Sequence, residues 1–362
     1  MAESRSPVPT PAKGRGTANV AASRRFDDLQ RESDGEWLDA REAIDGEAPR
    51  PRTEVTIEHA RTIISRNASP DISFDHSINA YRGCEHGCIY CFARPSHAFH
   101  NLSPGLDFET KLFAKPDAAK LLRKEMAKPG YRCTTMAMGT NTDPYQPIEE
   151  RFGITRSLIE VLAEHDHPVV ITTKSARITR DIDLLAPMAA RGLAAAVMSI
   201  TTLDPVLARR MEPRASAPRQ RIAAVARLVE AGVPTAISIS PVVPAINDHE
   251  IEAIVAAGAG AGAHAAFSIA VRLPHEVAPL FREWLAVHYP DRAAKVMALI
   301  GEMRGGRDND PDFYSRFRPT GAYAKALQAR FRLACRRHGL NEQRFVLRND
   351  RFRPPSDQLT LF

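Results

Sequence analysis

Three cysteines fall within eight residues, in the segment Arg82-Gly83-Cys84-Glu85-His86-Gly87-Cys88-Ile89-Tyr90-Cys91-Phe92. The spacing is C-x3-C-x2-C, with an aromatic residue just before the last cysteine. A compact loop of this kind can place three thiolates on three corners of an iron–sulfur cubane. Cys133, the next cysteine, follows 42 residues after Cys91. The fourth iron is then open to a ligand, whereas clusters that only carry electrons usually have cysteine on every corner. The loop therefore predicts a [4Fe–4S] cluster on Cys84, Cys88 and Cys91 that is available for chemistry. A structural zinc ion completed by His86, His97, His100 or Cys133 is the competing assignment. Zinc motifs usually pair two short-spaced ligand couples, and this sequence has no second couple. Three inert, buried cysteines in one glycine-containing loop are a poorer account.

Such a loop needs a scaffold. From Phe74 onward, short apolar runs alternate with helical stretches. Runs at 134–138, 169–172, 194–200, 235–239 and 265–271 read as strands, with an opening strand at 73–80. Helical patterns fall at 156–164, 182–191, 220–231 and 249–257, and Gly192, Gly232 and Gly258 stand where such helices should stop. The runs are apolar throughout, as fully buried parallel strands are. Five βα units and an opening strand give an α/β protein with a partial (β/α)6 TIM-like barrel, short of the eight units of a closed one; a doubly wound sheet is the alternative. In either fold ligands gather at the carboxyl ends of the strands. The polar clusters at 139–147, 173–180, 199–204 and 240–248 each follow a strand directly. The chain then divides into a disordered tail at 1–52, the barrel at 53–275, a helical basic extension at 276–353 and a flexible tail at 354–362.

The cysteine spacing, the aromatic before Cys91 and the following βα units resemble the radical S-adenosylmethionine superfamily over roughly residues 70–275. The resemblance implies that the amino and carboxylate groups of S-adenosylmethionine chelate the open iron. An electron, from a donor such as flavodoxin or ferredoxin, then cleaves the sulfonium to methionine and a 5′-deoxyadenosyl radical that abstracts hydrogen from the substrate. Further stretches resemble the spore photoproduct lyase-like branch: Thr142-Asp143-Pro144, Thr173-Lys174, Met198-Ser199-Ile200-Thr201, Glu212-Pro213 and Arg221-Ile222. By that resemblance Lys174 and Ser199 contact the methionyl end of S-adenosylmethionine and Tyr90 reaches its adenine, with Asn141 and Arg221 as further cofactor-binding candidates. A lysine at a strand end supplies a point charge for a carboxylate. One departure stands out. The lyases carry a hydrogen-donating cysteine two residues before the Ser/Thr-Asp-Pro element, and this chain has Thr140 there. A threonine O–H bond is too strong for that role, so the chain resembles a sister group without the photoproduct-lyase reaction.

Net charge is +6, and the segment from Phe313 to Arg353 alone carries +9, leaving −3 on the rest. Concentrated positive charge interleaved with Phe317, Tyr323, Phe331, Phe345 and Phe352 suits nucleic acid; a solvated helix face is the plainer account. The last residues, Gln358-Leu359-Thr360-Leu361-Phe362, resemble the peptide by which bacterial DNA polymerases and repair proteins dock on the sliding clamp. Gln358, Leu359, Leu361 and Phe362 are its anchors; packing back on the barrel is the alternative. These features predict an enzyme acting on nucleic acid, in DNA repair or base modification. Modification of a protein or small molecule, and a zinc-stabilised nucleic-acid-binding protein, remain open alternatives. No apolar run reaches membrane-spanning length, and the N-terminus lacks the basic start and apolar core of a secretory signal. With an odd cysteine count and a clustered trio, this predicts a cytoplasmic protein.

Overall fold

The computed structural model describes residues 10–23, 25, 51–343 and 346–355. Among them are ten strands: β1 (Glu54–Ile57), β2 (Ile64–Arg66), β3 (His76–Ile78), β4 (Tyr81–Arg82), β5 (Lys111–Ala114), β6 (Met136–Met138), β7 (Val169–Thr173), β8 (Ala194–Ser199), β9 (Thr235–Val242) and β10 (Ala265–Ala270). Seven form one sheet in the order β10-β9-β8-β7-β6-β3-β2. All neighbours in it are parallel except the antiparallel β2–β3 pair. The six parallel strands and their crossovers are the expected open barrel, and among the described residues no strand joins β10 to β2. The opening strand is shorter than the 73–80 run, because pairing with β6 spans only His76–Ile78.

Helices α1 (Ala118–Met126), α2 (Ile154–Glu164), α3 (Ile182–Ala190), α4 (Pro205–Met211), α5 (Pro218–Glu230) and α6 (Ile251–Gly260) connect the strands. Each main crossover helix buries an apolar stripe on the sheet. In α2 it comprises Ile154, Leu158, Ile159, Val161 and Leu162. Gly192 and Gly232, with φ of 72° and 78°, end α3 and α5 as expected. Gly258 does not end α6. It lies inside the helix where a Cβ would come within 2.4 Å of Ile237, so it lets the helix approach β9.

A second, three-stranded sheet, β1-β5-β4, carries the cysteine loop. β4 feeds directly into Gly83, and β5 pairs with β4 antiparallel within the sheet. Beyond β10 come α7 (Val277–His288), α8 (Pro290–Glu302) and α9 (Gly321–Arg337). The chain then returns to the amino ends of the barrel strands: Arg348 N–H donates to the Gly192 carbonyl at 2.9 Å and Arg353 N–H to that of His165 at 2.9 Å. Of the interleaved aromatics, Tyr323, Phe331 and Phe352 pack on the core, whereas Phe317 stacks against arginines; Phe345 lies outside the described residues.

The expectation of a disordered segment at 1–52 does not hold for residues 10–23. Arg15, Gly16 and Thr17 are buried, and Asn19 bonds Glu283 on α7 at 2.9 Å. The partners lie far off in sequence, so local composition carried no sign of them. No described helix is long and apolar enough to cross a membrane.

Candidate active site

The loop from Gly83 to Phe92 lies over the carboxyl ends of the barrel strands. Cys84 and Cys88 are buried and Cys91 partly so, and all three are free thiols. The loop is fixed on several sides. Cys84 N–H donates to the Phe108 carbonyl at 2.9 Å, and Ile89 N–H to that of Met211 on α4 at 3.1 Å. Gln146 accepts from Glu85 N–H at 2.9 Å and donates to the Gly83 carbonyl at 3.2 Å. Gly83 has a φ of 71°, and a Cβ there would come within 2.6 Å of Leu112 on β5.

Beneath the loop lies a fully buried Arg94. Its Nε donates to the Cys88 carbonyl at 2.9 Å, Nη1 to the carbonyls of Pro104 and Gly105, and Nη2 to the Gly87 carbonyl at 3.0 Å and to Glu109 at 2.6 Å. All five N–H groups are used. Glu109 is in turn held by Gly16 N–H at 2.9 Å, while Arg15 donates to the Glu109 carbonyl at 2.9 Å. Neither Arg94, in the Cys91-Phe92-Ala93-Arg94-Pro95 stretch that follows the motif, nor Glu109 had a role legible in sequence. An arginine three residues past a cysteine loop looks like any other, and its carboxylate partner is 15 residues away.

Tyr90, Lys174 and Arg221 come together above β7 and β8. The Lys174 ammonium stands 5.8 Å from the Tyr90 ring centroid. The Tyr90 hydroxyl donates to Glu212, which also pairs with Arg221 and accepts from Thr201 at 2.5 Å. Arg221 further donates to the Ser199 carbonyl at 3.0 Å, so its charge is committed within the protein and it supports the site from behind. Ser199 is buried at the end of β8. Asn141 stands apart, exposed, with its N–H donating to Asn79 Oδ1 at 3.0 Å. Thr140 also faces Asn79, at 3.1 Å.

Electrostatics bind these groups. Burial alone would raise the Glu212 carboxyl, but Arg221 and Lys174 outweigh it and hold it down at about 2. Burial alone would lower the Lys174 ammonium; Cys88 and Glu212 hold it above the usual lysine range. Asp143 joins loop to barrel: it accepts from Thr173 Oγ1 at 2.6 Å and Lys174 N–H at 2.7 Å, with His86 Nδ1 3.3 Å away. That His86 contact is an ion-pair distance whose geometry falls short of a hydrogen bond.

The residues suit a cluster better than a zinc ion. Among the described residues no three His, Cys, Asp or Glu side chains converge on a single-ion site. A cubane gives each thiolate its own iron and asks for wider spacing. Of the histidines offered to zinc, His97 is held through Nε2 by the Lys111 carbonyl at 2.8 Å, and His86 Nδ1 stands 3.3 Å from Asp143 without a hydrogen bond. Cys133 lies before β6, at the other end of the barrel. Burial pushes the Cys88 thiol up to about 12 and Cys84 well above the thiol range, so bare thiolates are disfavoured there and a cationic group must compensate them.

Sheet order, loop position and site chemistry together define a radical S-adenosylmethionine enzyme fold. Residues 78–257 match the radical SAM superfamily, and the chain belongs to it; enzymes of this superfamily use a [4Fe–4S] cluster and S-adenosylmethionine. An uncharacterized protein of Mycobacterium tuberculosis is 33% identical over 265 residues, which cover 73% of this chain and 76% of that one. An uncharacterized protein of Methanocaldococcus jannaschii is 27% identical over 48% of this chain and 62% of its own length. Among solved structures, spore photoproduct lyase complexed with dinucleoside spore photoproduct matches with a TM-score of 0.55 at 18% identity, covering 79% of this chain and 80% of that one. The fold is thus of the spore photoproduct lyase-like branch.

Proposed function

We propose that Cys84, Cys88 and Cys91 hold the [4Fe–4S] cluster of an enzyme that acts on nucleic acid, in lesion repair or base modification. The observation that carries the reading is the three-thiol loop, two of its thiols buried, whose Tyr90 ring stands 5.8 Å from the Lys174 ammonium at the end of β7. Cluster and S-adenosylmethionine together supply a 5′-deoxyadenosyl radical. Lys174 offers its ammonium to the methionyl carboxylate, Ser199 at the end of β8 is proposed to contact the same methionyl end, and the Tyr90 ring, its hydroxyl held by Glu212, to border the adenine. Asn141 is free to reach a ligand from the rim. The nucleic-acid assignment rests on the basic C-terminal segment and on the dinucleoside substrate of the structural neighbour. With Thr140 bonded to Asn79 where a thiol donor would be needed, the reaction differs from that of the lyases.

An acidic electron carrier such as flavodoxin or ferredoxin is proposed to dock on the basic rim of the cleft bordered by His86, Arg177, Arg214 and Arg227. The clamp-like anchors Gln358, Leu359, Leu361 and Phe362 lie outside the described residues and are proposed as a recruitment peptide.

The test is deuterium transfer. Anaerobically reconstituted, reduced protein is expected to release 5′-deoxyadenosine and methionine, and to take label from deuterated oligonucleotides carrying damaged or modified bases. Replacing Cys84, Cys88 or Cys91 with Ala is expected to abolish iron binding and cleavage, while Cys133→Ala leaves both intact. One zinc per chain and no iron would overturn the proposal.

A further inference from the structure

β10 differs from the other barrel strands in what it turns inward. Ala266 sits in the main core with Ile254 and Leu327, and Ser268 and Ala270 face α9. Strand alternation therefore directs Phe267 and Ile269 to the inner face, where they are 51% and 37% exposed. Their inward neighbours are small. The register places Ser199 beside Ser238 and Ser238 beside Phe267, so the ring lies level with Ser199 and two strand spacings away, about 10 Å. Among the described residues the far edge of β10 carries no strand. Asn341 pins it through both backbone groups of Ala266, and Arg304 through the Ala270 and Val271 carbonyls. An aromatic ring half-exposed inside a barrel, beside small residues, leaves room for a flat apolar partner.

The end of the same strand is cationic. Arg272 has no hydrogen bond or ion pair among the described residues, and its Nε is buried without a partner. Its guanidinium lies 4.6 Å from the Phe317 ring centroid, with Arg316 at 5.1 Å from the same ring. The nearby carboxylates, Asp71 and Asp310, are already paired with Arg316 and Arg307. Burial, Arg316 and Arg304 together push Arg272 down to about 10, as expected of a surplus cation.

We propose that β10 is the substrate-strand face of the enzyme: a nucleobase stacks on Phe267 and Ile269 inside the barrel, and a phosphate of the same strand binds Arg272. The proposal rests on the nucleic-acid reading above and names the residues that would carry it. Phe267 and Arg272 are five residues apart, about 16 Å along a strand. The phosphate therefore belongs to a neighbouring nucleotide, and the occupant is an oligonucleotide in single-stranded form. Aromatic stacking supplies affinity without sequence preference, and the guanidinium supplies a charge-dependent contact.

The experiment is fluorescence anisotropy of the anaerobic holoprotein with a labelled single-stranded oligonucleotide and an abasic one of equal length. Phe267→Ala and Phe267→Leu are expected to weaken the normal oligonucleotide about tenfold and leave the abasic one unchanged. Arg272→Gln is expected to weaken both and to reduce the slope of log affinity against log salt by about 0.7. Iron content and S-adenosylmethionine affinity should stay at wild-type values. If the Phe267 variants lose S-adenosylmethionine affinity and keep oligonucleotide affinity, the ring serves the cofactor's adenine and the proposal is overturned. If all variants bind oligonucleotide as tightly as wild type, the proposal fails while the nucleic-acid reading stands. If wild type binds neither oligonucleotide, both fall.

Discussion

Arg94 shows how much of this site depends on one side chain that touches no ligand. A guanidinium has five donors in a fixed plane. Here they reach four carbonyls, two of them inside the cysteine loop, and one carboxylate. Lysine keeps the charge but has neither the number nor the geometry of donors, so Arg94→Lys is expected to lower iron per chain. Arg94→Ala is expected to be worse, because Glu109 is left buried without its ion-pair partner, a loss of about 3–5 kcal/mol. Replacing both with apolar residues, Arg94→Met with Glu109→Leu, separates the two effects. The thermal midpoint should recover toward wild type while iron occupancy stays low, because the Gly87 and Cys88 carbonyls still lack donors. Equal recovery of iron would show that the arginine only balances charge.

At the scale of elements, legibility followed burial. β6 to β9 were readable because both faces are covered, so apolar runs such as Val169–Thr173 and Ala194–Ser199 stand clear of their surroundings; β10 was readable from its apolar run although its inner face is open. β1, β2 and β4 span only two to four residues, β1 and β2 are largely exposed, and the partner of β1 and β4 lies far along the chain, so no period marks them. The cluster cysteines, Tyr90 and Lys174 were visible as motif residues, whereas Glu212 entered only as part of a motif and its tie to Tyr90 did not. Arg15 is 94 residues from Glu109 and could not be read locally. His167, at the entry to β7, makes a consequence of element packing measurable. It is buried against Phe352, its Nδ1 donates to the Pro168 carbonyl at 3.1 Å, and its Nε2 then accepts from the Tyr131 hydroxyl at 2.8 Å. Burial lowers its pKa to about 4, from 6.5 in the unfolded chain. The folded state thus takes up this proton last, so its contribution is full above pH 6.5 and is lost as pH falls toward 4. Between pH 7 and 4.5 the loss is about 2.5 kcal/mol. Urea midpoints for His167→Gln should show a shallower decline than wild type over that interval. Parallel declines would mean that the ring is already protonated or hydrated when folded.

For the whole molecule, the two ends of the barrel divide the labour. The cysteine loop, Lys174 and the β10 face lie toward the carboxyl ends of the strands, and the N-terminal segment closes over that end through Arg15 and Asn19. The C-terminal segment crosses to the opposite end, where Arg353 bonds His165 just before Pro354 and Pro355. A tail leaving there can engage a partner without covering the cluster. A peptide of residues 354–362 is therefore expected to bind a bacterial sliding clamp with affinity of micromolar order, since few apolar anchors must offset the ordering of the peptide. Leu361→Ala with Phe362→Ala in the full chain should remove clamp binding, read by surface plasmon resonance, and leave iron content and S-adenosylmethionine cleavage unchanged. Loss of iron in that double variant would mean that these side chains hold the barrel together. Failure of the intact peptide to bind at high micromolar concentration would remove the tail from the case for a DNA substrate, leaving that case to the basic segment.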